Sequence, residues 1–123
     1  MVCVILVAED EVMVRNLARH ILEAEGHEVL AAADGAEALA LSRGYTGAID
    51  LLITDVVMPR LDGFGLIRQI LQERPNLRIL VMSGTPGDMP RLPVSIPFLI
   101  KPFLSGVFRD KVREVLQAPP AMP

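Results

Sequence analysis

Five short apolar runs recur along this chain, at residues 2–8, 28–33, 49–54, 77–82 and 96–100, and they are largely continuous rather than alternating. A strand solvated on one face carries a polar residue at every second position, whereas a continuous run needs apolar cover on both faces. Between the runs lie segments whose apolar residues stand three and four apart, the spacing of a helix that buries one stripe. Residues 11–25 put Val14, Leu17, Ala18 and Ile21 on one helical face, and Gly26 supplies a C-terminal cap. Asp34, with Glu37 three residues on, has the spacing of a capping box and opens a helix carrying Ala36, Leu39 and Ala40, which should stop near Gly44. A third helix begins around Gly63 and packs Phe64, Ile67 and Leu71 before Pro75; a last one carries Phe108, Val112, Val115 and Leu116. Strands alternating with helices imply right-handed parallel crossovers. The expected fold is a doubly wound α/β domain with five parallel strands in the order 2-1-3-4-5.

The alternation breaks once. Between the fourth and fifth strands stand Pro86, Gly87, Pro90 and Pro93, and a proline inside a helix costs about 3 kcal/mol. The fourth helix of the pattern is therefore expected to be shortened or replaced by a proline-rich loop over residues 86–97, which we read as a partner surface or a mobile lid. All these elements form one domain, residues 1–117, followed by a flexible proline-rich tail, residues 118–123.

Composition narrows the function. The chain is 51% hydrophobic but only 4% aromatic, so its core is built from aliphatic side chains and methionine, and a net charge of -3 argues against non-specific binding to nucleic acid or anionic membrane. A single cysteine, Cys3, lies in an apolar strand and reads as a small buried hydrophobe in a reducing compartment. His20 and His27 have no partner at metal-ligand spacing and read as helix-surface and turn residues. No apolar run is long enough to span a bilayer and no leader pattern is seen, so a cytoplasmic location is expected.

The chemistry lies at the strand ends. Ligands of open α/β sheets bind beyond the carboxyl ends of the strands, where the strand order reverses, here between strands one and three. Strand one is followed by Glu9 and Asp10, strand three by Asp55, strand four by Ser83 and Gly84, and strand five by Lys101. Converging carboxylates repel one another unless a cation is present, and Mg2+ favours oxygen ligands of this kind. A carboxylate can also act as a nucleophile toward a phosphoryl group, with the charge on that group offset by a metal and a lysine. Taken singly, each residue has a plainer reading: Asp55 as a turn residue before Met58 and Pro59, Glu9 and Asp10 as helix caps favoured by the dipole, Ser83 and Gly84 as a turn, and Lys101 as a solvated cation. Together, in this chain order, they describe a site.

These residues give a resemblance. Val7-Ala8-Glu9-Asp10-Glu11, Thr54-Asp55 with Met58-Pro59 and Asp62-Gly63, Met82-Ser83-Gly84 and Lys101-Pro102-Phe103 resemble the motifs of the receiver domain of two-component response regulators, over nearly the whole length. The resemblance implies a flavodoxin-like, chemotaxis-regulator-like fold. It implies that Asp55 is the phospho-acceptor, taking its phosphoryl group from a histidine kinase or a histidine phosphotransfer protein. Mg2+ would be bound by Asp10, Asp55 and the backbone carbonyl of Val57, with Glu9 acting through a water. Lys101 would pair with the phosphate and be joined to Pro102 by a cis bond. Ser83 and Phe98 would form the switch, the hydroxyl moving toward the phosphate and the ring turning inward; the alternative for Phe98 is a permanent place in the core.

The expected function is a phospho-acceptor signalling switch that acts by protein contact, as a stand-alone receiver or as a relay or sink component. The alternatives are a receiver cut from a hybrid histidine kinase and an interaction module independent of phosphorylation. A phosphohydrolase is disfavoured because Val57 stands where such enzymes carry a second acid, so no catalysis beyond self-dephosphorylation is expected.

Overall fold

The computed structural model describes residues 2–84 and 96–120. The proline-rich loop expected between strands four and five lies almost wholly outside the described residues, as does the end of the tail. Five strands, β1 (Val4–Ala8), β2 (Glu28–Ala32), β3 (Leu51–Asp55), β4 (Arg78–Ser83) and β5 (Phe98–Ile100), form one parallel sheet in the order β2-β1-β3-β4-β5. Four helices are described: α1 (Val12–Ala24), α2 (Gly35–Gly44), α3 (Gly63–Glu73) and α4 (Ser105–Gln117). The chain has the expected flavodoxin-like order, and β1 and β3 lie side by side where the winding reverses, with Val7 opposite Ile53 and Ala8 opposite Thr54. None of the described helices is long and apolar enough to cross a membrane.

The continuous strands bury both faces, as their composition requires. Leu6, Leu52, Ile79 and Val81 join Ala38, Leu39, Leu66 and Ile70 of α2 and α3 on one side. Ile5, Val7, Leu51, Ile53, Leu80 and Met82 join Ala18, Leu22, Phe108 and Val112 of α1 and α4 on the other. Each fully buried aliphatic side chain of this size contributes about 1.5–3 kcal/mol, so the two layers fix the sheet's register firmly.

Helix ends follow local chemistry. Gly26, at φ +90°, lets the Gly26 N–H reach the Glu23 carbonyl and the His27 N–H reach that of Leu22, a Schellman ending for α1. Asp34 caps α2 by accepting from the Glu37 N–H at 2.8 Å, while the Glu37 carboxylate turns back to the Ala33 N–H at 3.4 Å, one residue earlier than a strict capping box. Asp62 caps α3 through the Gly65 N–H at 2.8 Å.

Two expected stripes are turned. On α1 the residues that bury are Ala18 and Leu22, while Leu17 is exposed. On α2 they are Ala38, Leu39 and Ser42, while Ala36 and Ala40 face solvent. The last helix buries Phe108, Val112, Val115 and Leu116 as expected. Cys3 is buried, and its N–H donates to Nδ1 of His27 at 3.1 Å.

Candidate functional site

The carboxyl ends of β1, β3, β4 and β5 lie along one edge of the sheet, and the charged side chains that follow them meet there. The Lys101 ammonium lies 2.7 Å from Oε1 of Glu9 and 3.0 Å from Oδ2 of Asp55, with Oε1 of Glu11 at 3.5 Å. Oxygens of Glu9, Glu11 and Asp55 all fall within 4.8 Å of one another. The other oxygen of Asp55, Oδ1, accepts the Val56 N–H at 2.8 Å, which fixes the carboxylate's orientation. The Lys101 N–H donates to the Ser83 carbonyl at 2.9 Å, tying the end of β5 to that of β4, and the Lys101–Pro102 bond is cis, as the resemblance implies.

Backbone braces hold the first acid in place. The Glu9 N–H donates to the Ala32 carbonyl at 3.0 Å, and Nη1 of Arg15 donates to the Glu9 carbonyl at 2.8 Å. The Glu9 side chain is fully buried, and its Oε2 accepts the Glu11 N–H at 3.2 Å.

Electrostatics follow from this crowding. Burial pushes the Glu9 carboxyl up to about 7, outweighing the pull of its bonds to Lys101 and the Glu11 N–H, with Asp55 nearby adding to the rise. Burial works against the charge on Lys101, but its bonds to Glu9 and Asp55 prevail and hold it above the ordinary lysine range. Three acids share one ammonium, and one of them keeps a proton near neutrality. That donor set suits a hard divalent cation, because oxygen ligands and surplus negative charge are what such an ion requires.

The expected residues are gathered only in part. Glu9, Asp55 and Lys101 meet directly, and Ser83 is buried at the end of β4 beside them in the sheet. Asp10, expected as a direct metal ligand, is exposed and is not among the acids whose oxygens converge; Glu11 is. Neither Glu9 nor Asp10 caps α1, whose N-cap position is Glu11 and has no side-chain cap. Glu11 stands in the motif without an expected role, and its only sequence signal is a third acid at the start of the helix. Val57 is exposed in the loop after β3. Phe98, on β5, is 37% exposed and is not among the buried core residues.

Comparison with known proteins agrees with the fold. A family model described as the response regulator receiver domain matches residues 5–92. The chain is 34% identical over 117 residues to the sensor kinase CckA of Brucella abortus, spanning 92% of this chain and 12% of that kinase. It is 30% identical to the alkaline phosphatase synthesis transcriptional regulatory protein PhoP of Bacillus subtilis, spanning 92% of this chain and 48% of the regulator. Against the crystal structure of the receiver domain of the hybrid histidine kinase CckA, the TM-score is 0.81 at 38% identity, covering 93% of this chain and 99% of that one. The chain therefore belongs to the receiver domains of two-component response regulators.

Proposed function

We propose that this receiver is a Mg2+-dependent switch whose phospho-acceptor is Asp55, charged from the phosphohistidine of a histidine kinase or a histidine phosphotransfer protein and read out by protein contact. The observation that carries the reading is the environment of Asp55: one oxygen accepts a backbone N–H, and the other faces a lysine ammonium at 3.0 Å. In the reaction, an Asp55 oxygen forms a bond to phosphorus as the bond from phosphorus to the histidine nitrogen breaks, and the nitrogen keeps the electron pair. Lys101 then pairs with a phosphate oxygen in place of the carboxylate, and the Ser83 hydroxyl donates to another. Asp10, Asp55 and the Val57 carbonyl, with Glu9 through a water, are the set we assign to the metal, and Glu11 adds a further carboxylate beside them. When bound, the cation offsets charge on the phosphate oxygens. Loss of the phosphoryl group to water regenerates the carboxylate, and this is the only turnover we assign to the chain.

A partner protein is favoured by the apolar side chains exposed at the same end of the sheet: Val12 and Met13 at the start of α1, Val57 after β3, and Leu104 after Pro102. A second reading, a receiver working within a hybrid kinase relay, is favoured by the likeness to the CckA receiver.

The test is to incubate the protein with Mg2+ and phosphoramidate or acetyl phosphate and measure base-labile phosphate. We expect uptake that depends on the metal and is lost in Asp55→Ala. No uptake would replace this reading with a phosphorylation-independent module, and steady turnover of external phosphate esters would replace it with an enzyme. Transfer of the label onward to a histidine phosphotransfer protein would select the relay.

A further inference from the structure

We propose that Asp34 and Arg60, a pair outside the converging acids, are positioning residues that set the loop after β3 for cation binding and phosphoryl uptake. The inference rests on the functional reading of Asp55 given above. It begins with an unusual backbone: Arg60 has φ +69°, a region that residues with a side chain rarely adopt outside special turns. The Leu61 N–H returns to the Pro59 carbonyl at 2.8 Å, closing a tight turn centred on Arg60. Glycine would fill that position without strain, so an arginine there calls for a reason.

The side chain supplies one. Although 71% exposed, Arg60 places its Nη2 at 2.6 Å and its Nε at 2.7 Å from Oδ2 of Asp34, whose side chain is only 2% exposed. Asp34 is at the same time the cap of α2, through its other oxygen and the Glu37 N–H. One carboxylate thus joins the turn after β2 to the turn after β3. The Gly35 N–H donates to the Leu61 carbonyl at 3.1 Å, and a Cβ on Gly35 would come within 2.2 Å of that carbonyl oxygen. At the far end of the loop the Gly63 N–H donates to the Val56 carbonyl at 2.8 Å, and a Cβ on Gly63 would come within 2.2 Å of the Asp55 carbonyl oxygen.

The segment between these anchors holds Val57, whose carbonyl we assign to the metal, directly after the acceptor. It has no strand or helix of its own to fix it. A metal ligand on the backbone must be placed to a fraction of an ångström, and the groups that hold such ligands from outside typically change affinity by about 10–100-fold when removed. The Asp34–Arg60 bond is the charged part of that support, and it ties the loop to the start of α2.

Arg60→Gly separates the explanations. It keeps the turn, and removes the strain, while deleting the bond; Asp34→Asn keeps a competent cap while removing the charge that holds Arg60. Mg2+ affinity is measured by titration calorimetry at a temperature where each variant is fully folded by circular dichroism, and the phosphoramidate reaction rate is measured alongside. We expect both variants to bind Mg2+ about tenfold more weakly and to be phosphorylated correspondingly slowly at a fixed subsaturating metal concentration. Arg60→Gly should melt near the parent temperature, and Arg60→Lys should recover part of the affinity. Parent-like Mg2+ affinity in both Arg60→Gly and Asp34→Asn would overturn the inference while leaving the phospho-acceptor reading intact. A parent that binds no Mg2+ would overturn both.

Discussion

Replacing Lys101 by methionine removes the ammonium and keeps much of the stem. In the parent the Lys101 side chain is 13% exposed and its ammonium lies between Glu9 and Asp55 at 2.7 and 3.0 Å. Removing one partner of a buried ion pair costs about 3–5 kcal/mol. Lys101 keeps some contact with water, and Glu9 escapes part of the repulsion by holding a proton, so the lower end applies, about 3 kcal/mol at pH 8. For a chain of this size each kcal/mol moves Tm by roughly 4 °C, which gives a fall of about 12 °C. The sign with pH follows from Glu9. Its folded value, about 7, lies above the ordinary 4.5, so the folded state holds a proton that the unfolded chain releases, and stability falls as pH rises across that window. Losing Lys101 removes a downward pull on Glu9, so at pH 5 the acid is neutral in the variant and the substitution costs only about 1 kcal/mol, or roughly 4 °C. Added Mg2+ at a hundred times its Kd should return about 2.7 kcal/mol to the variant at pH 8, and more than it gives the parent, where the cation meets a resident ammonium. Thermal melts at pH 5 and pH 8, in chelator and in Mg2+, measure all of this. Equal melting of variant and parent at pH 8 in chelator, or a deficit as large at pH 5 as at pH 8, would rule out this role for the Lys101 ammonium.

Because Glu9 must release its proton for the site to reach full negative charge, Mg2+ should bind about tenfold more weakly at pH 6 than at pH 8, a ratio set by one group titrating near 7 and readable by calorimetry. Asp34 is held below the usual carboxylate range, first by the Glu37 N–H and then by Arg60 against the effect of burial. Its stabilisation is therefore complete above the unfolded value and fades as pH falls through the folded one, and the deficit of Asp34→Ala in acid melts should shrink below about pH 4. Gly44→Ala meets no atom within 4 Å and has no positive φ, so it should raise stability by about 0.4–1 kcal/mol in urea titrations. Gly63→Ala, whose Cβ would meet the Asp55 carbonyl, should lower stability and slow phosphorylation together.

Much of this molecule can be read from its residues because the strongest signals are local. A continuous apolar run that ends at once in a charged or hydroxyl residue marks both a buried strand and the sheet edge at which it stops, and this places Glu9, Asp55, Ser83 and Lys101 at that edge. The helix stripes were harder to read. In α2 alanines stand at positions 36, 38 and 40, so hydrophobicity offers little contrast, and the serine that buries does so because Nε of Arg74 donates to its hydroxyl at 2.8 Å from 32 residues away. In α1 the position of α4 against the sheet decides that Leu22 rather than Leu17 is covered. Arg60 is invisible for the same reason: its partner lies 26 residues earlier, and an exposed arginine in a turn has no periodic signature. Long polar side chains that act across the fold leave no trace in spacing.

The balance of charge explains why such a site needs both its acids and its lysine. Glu9, Glu11 and Asp55 set three potential negative charges against the single ammonium of Lys101. With all three ionised the excess within this cluster is two, before the charge of Asp10 outside it is counted; with a proton on Glu9 it is one. The resting chain can thus hold its carboxylates close at modest cost. On the proposed function, phosphorylation of Asp55 would exchange one charged oxygen pair for a phosphate that carries more charge and places it farther out from the strand end. The ammonium, bonded to both Glu9 and Asp55, would then divide itself differently, and the Lys101 backbone is tied to Ser83 at the neighbouring strand end. On the proposed function, a change at Asp55 would reach first the carboxyl ends of β4 and β5, at Ser83 and Ile100, with Phe98 at the start of β5 two residues earlier.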